Sequence, residues 1–194
     1  MSENRIKVSR ANKVEELQVA AKELELKREF VAAVALESQK QKLSQASRIT
    51  DPEVLARLAE AQFDVETLAA LELVPIAFVA WASGSVSDSE RKLVMSSLED
   101  YGLLMHHPSY QLFNHWLQTR PHPLLLLLWK DYTAAKLGVV SAAERQALGS
   151  RLLRKATEVA MASGGILGFG KICDTEQAIL DKISDVYGLI DASY

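Results

Sequence analysis

The stretch Ala80-Trp81-Ala82-Ser83-Gly84-Ser85-Val86-Ser87-Asp88-Ser89-Glu90-Arg91-Lys92-Leu93-Val94 decides the fold. It reads as one helix ending, a short turn, and a second helix beginning. Gly84 supplies a residue suited to the left-handed conformation that closes a helix. Ser87 and Glu90 have capping-box spacing: the serine hydroxyl accepts the N3 amide, and the glutamate reaches back to the N-cap amide. The same grammar returns at Gly170-Lys171-Ile172-Cys173-Asp174-Thr175-Glu176-Gln177-Ala178-Ile179-Leu180. Laying 84–104 over 170–190 gives the identities Gly84/Gly170, Asp88/Asp174, Glu90/Glu176, Tyr101/Tyr187, Gly102/Gly188 and Leu103/Leu189. Chance predicts about one at ordinary residue frequencies. Gly138 to Glu144 repeats the turn without the Tyr-Gly-Leu that follows the other two. The predicted frame is two pseudo-symmetric helical hairpins across one core; a solenoid needs about three or more copies.

Upstream of this turn, Val65–Ser83 is apolar nearly all round from Leu68, the pattern of a buried helix, with Pro75 predicting a kink or break near Leu73-Val74. Thr50-Asp51-Pro52-Glu53 opens an earlier helix, with Thr50 expected as cap and Glu53 as its box partner, and Asp64 is placed to cap the segment after it. Downstream, the helix opened by Ser87 is expected to run to about Tyr101 and stop at Gly102. Pro108 and Pro123 mark two more starts, Gly138 ends the second, and Ser141 with Glu144 opens a helix reaching about Ser163, where Gly164-Gly165 weakens it. The final helix spans Cys173-Asp174 to Gly188. No run alternates with period two, so the fold is predicted all-α, a helical bundle.

Residues 12–47 contain no glycine or proline. Val14, Leu17, Ala21, Leu24, Val31 and Ala35 fall near a three-four spacing, interrupted by Arg28. With fewer than three clean heptads, a long coiled coil is not indicated. A helical arm over 1–48 is expected to pack on its own domain, 49–194, or on a second subunit or protein partner.

A 48% apolar fraction suffices for a sizeable core, and 24% charged residues are ordinary for a soluble chain of 194. Net charge is −3, divided as +3 over residues 1–48 and −6 over the remainder. Seven acids among the arm's ten bases argue against a nucleic-acid tail. The single Cys173 excludes an internal disulfide, the first residues lack the apolar core of a signal peptide, and apolar runs fall short of the roughly 20 residues that span a bilayer. A cytoplasmic protein without a membrane span is the expectation.

The run Trp81-Ala82-Ser83-Gly84, then Val86-Ser87 and Glu90, with its weaker second copy, resembles the tellurite-resistance TerB-like family over residues 68–190. The resemblance implies an all-helical bundle of two hairpins acting as a binding module in bacterial stress responses. It also implies acidic residues around the turns that hold a divalent cation. Glu90 and Glu176 match, whereas Ser83 and Phe169 stand where the family carries aspartates.

Four carboxylates, Asp88, Glu90, Asp174 and Glu176, are the candidate metal ligands, since pseudo-symmetry brings them to one end of the bundle and hard cations take oxygen ligands. The simpler account makes Glu90 and Glu176 box partners and sets Asp88 and Asp174 at positive helix ends. No other cofactor is expected. His106, His107, His115 and His122 lack the tight spacing of a zinc site. The glycines of 164–170 follow a helix instead of a strand, so they do not read as a phosphate loop. Cys173 has no histidine in its local motif, and no nucleophile, base and orienting group assemble, so an enzyme is not expected. Trp81, Trp116, Trp129 and Tyr132 read as core aromatics, with an exposed partner groove as the sharper alternative. The function expected is therefore a non-enzymatic interaction or scaffold module, with a divalent-cation sensor as the alternative.

Overall fold

The computed structural model describes residues 2–98, 102–163 and 172–189, and within them the chain is all-α, with no strand. The helices are α1 (Ser2–Ser47), α2 (Pro52–Glu60), α3 (Leu68–Glu72), α4 (Val74–Ala80), α5 (Asp88–Ser97), α6 (Pro108–Gln118), α7 (Leu124–Leu137), α8 (Ala142–Ser163) and α9 (Asp174–Tyr187).

The short helix α4 is the axis of the body. Val74, Pro75, Ile76, Ala77, Val79 and Ala80 are all buried in it, and it packs against α6, α7, α8 and α9. Pro75 sits in its first turn, where no intrahelical donor is lost, and the break with α3 falls at Leu73 as expected. Around this axis α8 lies on α9, α3 on α6, α2 on α7, and α5 against both α6 and α8. Trp129, Tyr132 and Phe113 are the largest fully buried side chains, and Trp81 donates its indole N–H to the Trp116 carbonyl at 2.7 Å. The four aromatics considered for a partner groove therefore belong to the core or its edge.

Local grammar holds at most helix ends. Ser87 Oγ accepts Glu90 N at 3.2 Å while Glu90 Oε2 accepts Ser87 N at 2.7 Å, and Ser141 with Glu144 repeats the pair. Gly188, at φ +61°, closes α9 in the left-handed conformation expected of it, whereas α4 ends at Ala80 with Trp81 as its cap, short of Ser83, and Gly84, at φ +97°, lies in the turn that follows. Asp51, not Thr50, caps α2: its Oδ1 accepts from Glu53 N at 2.9 Å and Val54 N at 3.2 Å. With Pro52 as the first helical residue, the neighbouring carboxylate takes the cap and adds charge at the positive end of the helix. Asp64 bonds Thr67 N at 2.9 Å, but Thr67 occupies the position before α3, so that helix starts later than Val65. Helix α5 ends at Ser97, short of Tyr101, which lies outside the described residues. The glycines from 164 to 170 also lie outside them, as does Phe169.

Helix α1 divides into two parts. Over residues 39–47 it packs on α2: Leu43 is fully buried, Ser47 is buried, and Gln39 Nε2 donates to the Phe63 carbonyl at 2.7 Å. From Glu15 to Ser38 every residue is exposed. Deleting residues 1–38 is therefore expected to leave the unfolding free energy of the body unchanged. Deleting 1–48 uncovers the site of Leu43 and is expected to cost about 2–5 kcal/mol, the usual loss for removing a buried leucine. Urea unfolding of the two truncations separates these outcomes.

Candidate functional sites: the acidic turns and the projecting arm

The two copies of the turn are neighbours in space. Thr175 Oγ1, in the first turn of α9, donates to the Ala82 carbonyl at 3.3 Å, so the start of α9 sits against the end of the α4 segment. The four carboxylates are nonetheless individually engaged or apart. Glu90 closes its box on Ser87, and Glu176, 2% exposed, accepts Cys173 N at 2.8 Å. Asp88 pairs with Arg91 at 2.9 Å, and that hydrogen bond and charge hold its carboxyl below the usual range. Asp174 is exposed. Among the described residues no group of three or more His, Cys, Asp or Glu side chains is arranged to hold a metal ion.

Two of the histidines act locally. His107 Nδ1 accepts Ser109 N at 3.2 Å as the cap of α6, and His122 Nδ1 accepts Leu124 N at 3.3 Å before α7. His106 and His115 are exposed. Cys173 is also exposed, with its sulfur 2.9 Å from the Thr175 hydroxyl.

A polar cluster that sequence patterning does not reveal lies between α3 and α7. Tyr132 Oη donates to Glu72 Oε1 at 3.0 Å, and Lys136 Nζ pairs with the same oxygen. Burial, then the Glu72 charge, push the Tyr132 hydroxyl far above its ordinary range, which keeps it a hydrogen-bond donor. The one available signal was Glu72 itself, a lone acid in the apolar run from Leu68 to Ala82. A cavity of about 130 Å³ opens beside it, lined by Glu72, Leu103, Arg151 and Tyr187 among others. That is well below the roughly 300–1,000 Å³ of small-molecule sites.

Apolar surface is concentrated elsewhere. A groove of about 650 Å³ runs between α2 and α7, with Leu124 and Leu127 exposed and Arg57 paired to Asp131. The larger exposure is on the arm, where Leu17, Val19, Leu24, Leu26, Phe30, Val31, Val34 and Leu36 all face solvent, Phe30 at 70% and Val31 at 66%. No family model, curated protein or solved structure matches the chain. The TerB-like resemblance accordingly rests on the motif residues of the turns alone.

No helix among the described residues is long and apolar enough to cross a membrane.

Proposed function

We propose that this chain is a non-enzymatic interaction or scaffold module of the bacterial cytoplasm, and that α1 is its binding element. One observation carries this reading: eight large apolar side chains are exposed along residues 17–36 of a helix that packs on α2 through its last turns. Scattered single apolar residues on a surface are ordinary, whereas a concentration of them marks an interaction site. The likeness of the turns to TerB-like proteins is the support for a stress-response setting. A photo-crosslinking residue placed at Leu24 or at Phe30 in cells is expected to give discrete adducts, to a second copy or to another protein. The same residue at exposed Lys130 on the body serves as control. Equal or absent labelling at all three positions overturns the proposal.

The alternative, a divalent-cation sensor, is favoured by the contact of the two acidic turns through Thr175 and Ala82. Binding to the native state raises apparent stability by mass action. Since three of the four carboxylates already serve caps or an ion pair, calcium and zinc are expected to leave the melting temperature of metal-stripped protein unchanged. A rise that vanishes in the Asp88→Asn, Asp174→Asn double variant would establish the sensor instead.

A further inference from the structure

We propose that two copies of this chain pair through their N-terminal helices in antiparallel orientation, along the stripe Leu17, Ala21, Leu24, Arg28, Val31 and Ala35. The inference rests on the reading of α1 as the binding element and names its occupant as a second copy. All six residues are exposed, with Leu17 at 64% and Leu24 at 52%, and they share one face of the helix by their three-four spacing.

The stripe is complementary to itself when reversed. With a two-fold axis at the level of Leu26, Leu17 of one copy meets Ala35 of the other, Val31 meets Ala21, and Leu24 meets Arg28. Each large side chain then faces a small one, apart from the central pair. There the aliphatic stem of Arg28 lies over Leu24, and its guanidinium reaches the rim, where Glu23 and Glu25 flank Leu24 in sequence. A two-fold contact requires such self-complementarity, since each copy offers the same patch. Parallel pairing would instead stack alanine on alanine, leaving gaps, and set Arg28 against Arg28 in the seam.

Length agrees. The exposed span 15–38 is about 36 Å of helix at 1.5 Å per residue. Paired over that span, two helices offer a contact on the order of the 800 Å² per partner of a standard specific interface.

The opposite side of the helix supplies the control. Leu26 and Phe30 are also exposed, at 56% and 70%, yet lie roughly half a turn away from the stripe. In sedimentation equilibrium of the purified full-length protein, a dimer is expected. Leu24→Glu with Val31→Glu should convert it to monomer, and Leu26→Gln with Phe30→Gln should leave it dimeric. Orientation is read by oxidative cross-linking in a Cys173→Ser background. A mixture of the Leu17→Cys and Ala35→Cys proteins is expected to form a mixed disulfide dimer, and Leu17→Cys alone none. A monomeric protein, cross-linking of Leu17→Cys to itself, or equal sensitivity of both helix faces overturns the pairing. A monomer whose Leu24 photo-adduct in cells is a different protein overturns self-pairing while sparing the broader proposal; a monomer with no adduct removes both.

Discussion

Replacing Gly149 with leucine is expected to destabilise the body by about 3 kcal/mol or more, the upper range for overpacking a filled site. Gly149 is buried within α8 where α9 crosses it. A Cβ built at this position would lie 2.6 Å from Tyr187 Cβ and 2.7 Å from its Cγ. Neither atom is the free end of a flexible chain, so relief requires the two helices to separate. Alanine tests the same contact more gently. Its helix propensity favours it over glycine by about 1 kcal/mol, against an overpacking cost of about 1–3 kcal/mol, so a net loss is expected. In a Tyr187→Gly background, which removes the Cβ as well as the ring, the clash is gone and only the propensity remains, so Gly149→Ala should there become stabilising. Urea denaturation of the four proteins gives this sign reversal directly as a coupling energy. Additive effects in the cycle would mean that Tyr187 is not what requires glycine at 149.

Gly149 also marks where legibility in the sequence ends. Helix caps are short-range chemistry between a side chain and amides two or three residues away, so Ser87, Ser141 and the glycine closing α9 could be read from spacing. The break at Leu73 follows from Pro75 in the same way. Errors arose where two neighbours compete for one local role, as Thr50 and Asp51 do for the cap of α2. Contacts between residues distant in the chain leave no such trace. In sequence Gly149 is a weak spot in a helix, and only the crossing of α9 makes it a requirement. Glu72, Tyr132 and Lys136 are 60 and 64 residues apart along the chain, and no periodicity announces their meeting. The acidic turns show the converse: the start of α9 does lie against the end of the α4 segment, but three of the four carboxylates are committed to capping and to Arg91. The arm was legible as a helix with an apolar stripe. How much of it the body would cover was not, because that depends on where α2 ends.

Phe113→Ala is expected to cost about 3–5 kcal/mol, while the same change at Phe30 is expected to cost close to nothing. The substitutions remove identical atoms, so the difference reports surroundings alone. Phe113 is fully buried in α6, with the ring of Trp116 edge-on at 6.2 Å and 70°, and Trp116 in turn lies 6.3 Å from Phe63. Truncation there leaves a cavity beside Trp116, in addition to the lost transfer energy. Against a total stability of about 5–15 kcal/mol for a domain, a loss of that size consumes a large share. At 2–4 °C per kcal/mol for a chain of this length, the melting temperature should fall by roughly 6–20 °C. Phe30, 70% exposed, has no such neighbours to lose. If its replacement lowered the melting temperature comparably, the arm would have to fold back onto the body in solution, and its apolar residues would be core instead of a surface kept for a partner.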